Sequence, residues 1–200
     1  MKTTFKILVV ILAIMTSNVY AEVKPYTKVG GMELVEHNIS EGHKAYTALG
    51  IDISQKWDKV IMKYTLEGWS MIEAVDDDPE MPQAGFKVSA EVKTKRDKIQ
   101  PFVSLDYNSW DRDVGSFTTL HYLNSKFGVD GKWNILYTRV GGTYPIWNET
   151  NSSDNMSGKL GFVCELGFKW KKVSVGYIYE RTSFTDLETN FSGVKIGYTF

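Results

Sequence analysis

The side chains in this chain with most to offer a reaction near neutral pH are three histidines and one cysteine. His37 and His43 bracket Ser40 and Glu41 in the stretch HNISEGH, a set that contains a nucleophile, a base and an orienting carboxylate. Histidines beside serines are commonplace in polar loops, however, and nothing in this spacing forces the three into one geometry. His121 shares a strand face with Thr119, and Ser116 and Ser125 lie at or beyond the ends of that strand, so no serine is placed to serve it. Cys164 alternates with Leu160, Phe162, Leu166 and Phe168 and reads as a small apolar side chain; as the only cysteine it has no disulfide partner. Asp76, Asp77 and Asp78 open the acidic run DDDPE, which offers carboxylate oxygens to a hard divalent cation or is a solvated loop tip. The two sequons at Asn148 and Asn151 are what Asn- and Ser-rich loops produce by chance. No catalytic residue, cofactor site or metal site is assigned, and the chain reads as a non-enzyme.

The elements that hold these residues alternate with a period of two. AGFKVSAEVK sets Ala84, Phe86, Val88, Ala90 and Val92 on one face and Lys87, Glu91 and Lys93 on the other. KLGFVCELGFKW does the same, opposing Leu160, Phe162, Leu166 and Phe168 to Lys159, Glu165 and Lys169, and VSVGYIY follows after only Lys171 and Lys172. Leu49, Ile51 and Ile53 interleave with Asp52, and Val103, Leu105 and Tyr107 with Ser104 and Asp106. Strands are expected near 27–36, 44–54, 60–72, 84–95, 99–107, 116–124, 131–144, 158–170, 173–184 and 191–200. That makes ten antiparallel strands, with eight possible because three of them have ambiguous faces. QKWDK, RDK and KK are short connections. HNISEGH, EAVDDDPEMPQ, YNSWDRDVG and PIWNETNSSDNMS are longer and polar, NSKFGVDGK is long for its side, and TDLETN is short for its side. Short turns at one end and long loops at the other describe a transmembrane β-barrel.

A half-buried sheet in a water-soluble barrel also alternates, so the choice of solvent rests on the tryptophans. Trp57, Trp133 and Trp170 fall at one set of strand ends, and Trp69, Trp110 and Trp147 at or beyond the other, as aromatic belts would at two lipid–water boundaries. With the apolar face outward, the lumen receives Asp52, Lys63, Glu67, Lys87, Glu91, Lys93, Asp106, Lys159, Glu165, Lys169, Glu180 and Lys195. Acids and bases are equal there, which suits an interlocked polar plug better than a channel selective for one sign. Overall charge is also balanced, with 23 Lys and Arg against 24 Asp and Glu and no basic stripe, so nucleic acid is not an expected partner.

Lys2 and Lys6, the apolar run Ile7 to Met15 and the close on Val19-Tyr20-Ala21 have the order of a cleaved export signal, leaving a barrel domain from Glu22 to Phe200. The closing octapeptide GVKIGYTF, with Val194, Ile196, Tyr198 and Phe200 alternating, resembles the carboxy-terminal signal of Gram-negative outer-membrane β-barrels. In pattern the whole mature chain is similar to the small porin-like and opacity-type family, whose members commonly have eight strands. The resemblance implies an outer-membrane address, lipids and lipopolysaccharide as surroundings, and recognition of the closing strand by the barrel assembly machinery. Polar loops presented by a rigid wall suit an envelope-structural, adhesion or surface-recognition role. A monomer is expected, with an extracellular ligand at the loops, where Ile146, Trp147 and the Asp76–Asp78 run are the candidates; the acidic run could bridge through a cation to lipopolysaccharide phosphates. The alternatives are a narrow porin for small solutes, a lipid-hydrolysing or acyl-transferring envelope enzyme, and a soluble periplasmic barrel.

Overall fold

The computed structural model describes residues 21–36, 39–72, 84–96, 98–111, 119–150 and 156–200. They form ten strands: β1 (Ala21–Glu36), β2 (Ile39–Lys56), β3 (Val60–Ile72), β4 (Ala84–Thr94), β5 (Ile99–Asp111), β6 (Thr119–Trp133), β7 (Leu136–Thr150), β8 (Gly158–Trp170), β9 (Val173–Phe184) and β10 (Leu187–Tyr198). Each pairs antiparallel with its sequence neighbours, and β1 pairs with β10 to close the sheet. Ten strands is therefore the count, and eight is excluded. Closure leaves no strand with an open edge along its middle, and only strand ends such as residues 21–25 of β1 and 144–150 of β7 are paired on one side alone.

Tight packing at the closing seam depends on two glycines. Gly30 and Gly193 face each other across β1 and β10, and a Cβ on Gly193 would stand 2.4 Å from the Val29 carbonyl oxygen. At one end of the barrel the connections are short. Asn134 and Lys171 take positive φ values of 57° and 54° in the two-residue turns after β6 and β8, as tight hairpin turns demand; Asn adopts this conformation readily, whereas Lys does so at some cost.

The strands are longer than the sequence suggests, and several expected loops are strand. NSKFGVDGK lies wholly within β6, so the long loop expected there does not exist. Tyr107–Asp111 completes β5, and Pro145–Thr150 completes β7, placing Ile146 and Trp147 in a strand and not in a loop. HNISEGH is strand from Ile39 onward, and TDLETN shrinks to Thr185 and Asp186 before β10 begins. β1 starts at Ala21, six residues ahead of expectation. Polar residues with outward or inward parity extend a ladder as well as apolar ones do, so polarity alone misplaced these boundaries. The expected export signal and the Asp76–Asp78 run lie outside the described residues, as do His37 and the side chains of Ser40, Glu41 and His43.

The barrel has its apolar side outside. Leu49, Val103, Leu160 and Leu166 are 71%, 58%, 69% and 63% exposed on the outer wall, along with Phe86, Phe127, Val129, Val140, Phe162 and Phe168. Lys87 and Glu91, the neighbours of Phe86 and Val92, point inward. Cys164 is partly covered on the same outer wall.

Candidate functional site

The lumen is built in three levels, each set by which parity of residues a strand turns inward. At the end away from Phe200 it is filled by an apolar cluster that includes Trp69 from β3, Trp110 from β5, Tyr122 from β6, Phe184 from β9 and Phe191 from β10, with Leu34 and Leu120 fully enclosed. Tyr46 packs its ring 4.5 Å from Phe191 and 5.6 Å from Trp69, and Tyr122 meets Phe184 edge-on at 5.4 Å. Trp69 and Trp110 therefore do not join an interfacial belt as expected. They share inward parity with Glu67 and Asp106, and their nearness to a strand end says nothing about which face they occupy. The other four tryptophans, Trp57, Trp133, Trp147 and Trp170, are exposed on the outside at strand ends.

Below the plug lies a balanced ionic level. The Glu67 carboxylate accepts the Lys28 ammonium at 2.5 Å, the Tyr26 hydroxyl at 2.5 Å and the Tyr46 hydroxyl at 3.2 Å. Beside it, Lys126 bridges Asp106 at 2.7 Å and Glu180 at 2.5 Å, while Lys87 approaches the same two carboxylates at 3.2 and 3.8 Å. Asp106 also accepts from Ser104 at 3.2 Å. Cavities of about 50 Å³ remain on either side of this level.

The third level opens toward the short turns. Asp52 accepts from Lys195 at 3.1 Å, Lys63 at 3.2 Å and the Thr65 hydroxyl at 2.7 Å. The Arg139 guanidinium clamps Asp130 through contacts of 2.7 and 2.9 Å, reaches Glu91 at 2.9 Å and stacks 4.3 Å over the Phe102 ring. Lys93 joins Asp130 at 3.0 Å, and the Tyr137 hydroxyl donates to Glu165 at 2.9 Å.

Ten of the twelve charged residues expected in the lumen thus meet inside it. Lys159 does not: it sits at the rim beside a β-bulge, where its ammonium donates to the Thr185 carbonyl. Lys169 has inward parity but stands at the open mouth, half exposed, 3.9 Å from Glu22. Lys28, Lys126, Asp130 and Arg139 belong to the network but escaped the sequence reading. Their signal was present as parity: Tyr122, Asn124, Lys126 and Asp130 share one face of β6, a face hidden when the segment was divided between a strand and a loop. Chemically the network is a set of mutually neutralised charges, and no carboxylate in it lacks a donor.

On the exterior, His121 lies directly across from Ser109 on β5 and Glu149 on β7. Its Nδ1 is instead 3.2 Å from the Tyr107 hydroxyl, with the two rings stacked at 6.1 Å. No hydrogen bond joins His121 to Ser109 or Glu149 among the described residues. The row is a cross-strand packing contact.

No known family profile and no curated protein matches the chain. Among solved structures, it is similar to the translocator domain of the autotransporter NalP from Neisseria meningitidis, at 11% identity over 100% of this chain and 95% of that one, with a TM-score of 0.43. It is similar to the outer membrane protease OmpT from Escherichia coli, at 8% identity over 92% of this chain and 100% of that one, TM-score 0.44. It is also similar to Neisserial surface protein A, at 7% identity over 90% of this chain and 99% of that one, TM-score 0.39. These are likenesses of fold, and what those proteins bind or cleave stays with them.

Removing one member of the network should cost far more than removing a rim charge. Arg139→Met leaves Asp130 and Glu91 short of their main donor and is expected to destabilise the barrel by about 3–5 kcal/mol in urea unfolding. Lys159→Met is expected to stay within about 0.5 kcal/mol of the parent.

Proposed function

We propose that this chain is an integral outer-membrane β-barrel of a Gram-negative bacterium. In this reading its rigid wall carries an envelope-structural, adhesion or surface-recognition role at the loop end, and its lumen does not conduct. The observation that carries it is the inverted distribution of side chains: an apolar outer wall around an interior of paired charges. In water that wall would be a very large exposed apolar surface, which soluble monomers avoid; in hydrocarbon it is matched to its solvent. The strands, of 11 to 18 residues, meet or exceed the roughly 9–11 that a tilted crossing needs. Exposed Trp57, Trp133 and Trp170 at one rim and Trp147 at the other support two headgroup boundaries.

Export through a cleaved signal and delivery to the assembly machinery through Val194, Ile196, Tyr198 and Phe200 belong to the same reading. The side chains of Val194, Ile196 and Tyr198 are exposed on the outer wall of β10, as is Phe200 just beyond its end. Ile146 and Trp147, at the outer end of β7, are half exposed and are the preferred contact for an external partner. A narrow porin is the second reading, favoured by the open mouth at the turn end but opposed by the apolar plug. Loops on a rigid wall are the usual seat of recognition.

Two measurements test this. Leu166→Arg, on the outer wall of β8, should lower stability by about 2–4 kcal/mol in phospholipid vesicles; a change near zero would mean that this wall faces water. In planar bilayers the parent should give no steady conductance steps, because the apolar plug and the paired charges below it both fill the lumen. Stepwise conductance from the parent would favour the porin instead.

A further inference from the structure

The turn end of the lumen is a cup of about 260 Å³, bounded above by the Asp52 and Arg139 ion pairs and open below. Its charge differs from that of the level above. There Lys28, Lys87 and Lys126 balance Glu67, Asp106 and Glu180. In the cup, seven basic side chains face four acidic ones among the described residues. All four acids are engaged: Asp52 by Lys63 and Lys195, Asp130 by Arg139 and Lys93, Glu165 by Tyr137, and Glu22 by Lys56 at 3.0 Å. The ammonium groups of Lys24 and Lys132 are left with no direct hydrogen-bond or ion-pair partner among the described residues, although both side chains line the cavity. Asp52 and Glu165 are the acids nearest in effect to Lys24, and Asp130 and Glu22 those nearest to Lys132.

We propose that this cup is a binding site for a small, soluble, multiply charged phosphate-type anion. Arg139 is also answered by Glu91 just above the cup, which leaves an excess of about two positive charges inside a low-dielectric wall. This focuses potential into the cavity, and a ligand with two or more negative charges would neutralise it. The volume is near the lower end of small-molecule pockets, roughly 300 Å³ and upward, which suits an inorganic or short-chain phosphate and not a large metabolite. Ser54, Ser174, Thr138 and Asn134 line the same space and supply neutral donors for the remaining phosphate oxygens. The cup opens along the barrel axis, inside the wall, whereas the phosphate of a surrounding lipid would lie outside it; a soluble anion is therefore the occupant. Only the statement that the cup faces the periplasm rests on the proposed membrane insertion. The site itself does not.

The test is calorimetric titration of pyrophosphate into the folded barrel in zwitterionic micelles at low salt. Saturable one-to-one binding is expected, weakened roughly tenfold or more in the Lys24→Gln, Lys132→Gln double variant, which removes two charge-assisted donors. Lys159→Gln, at the opposite rim, should leave it unchanged. Absence of saturable binding by a barrel that still migrates as a folded species on unheated gels would overturn the proposal and leave the membrane reading standing. So would equal affinity in the double variant. A barrel that takes up phosphatidylglycerol from doped micelles while ignoring pyrophosphate would move the site to lipid and overturn it too.

Discussion

A carboxylate as deeply enclosed as that of Asp106, at 2% exposure, is tolerable only if cations meet it inside the wall, because an unpaired buried charge costs several kcal/mol. Lys126 and Lys87 come from β6 and β4, and Glu180, which shares them, from β9 across the lumen. Arg139 on β7 joins Asp130 on β6 to Glu91 on β4 in the same way. Asp106 and Asp130 are met in part from the neighbouring strand, whereas Lys126 and Lys87 with Glu180, and Arg139 with Glu91, tie together strands that share no ladder. They make the closed cylinder the arrangement in which the buried carboxylates are answered, since opening the sheet would separate partners drawn from opposite walls.

The same constraint divides the lumen. Where inward residues are aromatic, around Tyr46, Trp69 and Phe191, the interior packs as an ordinary apolar core. Where they are charged and balanced, the interior interlocks. Where bases outnumber acids, near Lys24 and Lys132, the strands leave a cavity open to one end. A barrel of this width thus carries a plug, a clamp and a cup stacked along one axis, and the outer wall changes little from level to level.

Much of this was legible in the sequence, and the limits have a physical origin. Period-two alternation in β4, β8 and β9 identified the faces correctly because charged and apolar residues were cleanly segregated there. In β6 the inward face mixes Tyr122, Asn124, Lys126 and Asp130 with glycines on either side, so the pattern resembled a polar loop and its charges were lost from the expected network. For Trp69 and Trp110 height along a strand says less than parity does: Lys63 and Glu67 share the inward parity of Trp69, as Asp106 shares that of Trp110. The cup could not be read at all. It depends on which ammonium groups remain unpaired after lateral partners from distant strands have been satisfied, and register between distant strands is not written in any local stretch.

The account turns on which solvent the outer wall meets, and nitroxide accessibility along one strand measures that most directly. Val103→Cys, Ser104→Cys and Leu105→Cys, each in a Cys164→Ser background, would be spin-labelled after reconstitution in phospholipid bilayers. Labels at 103 and 105 are predicted to collide readily with oxygen and poorly with a water-soluble nickel chelate, while the label at 104 is shielded from both. Ready collision with the nickel chelate at 103 and 105 would contradict the account.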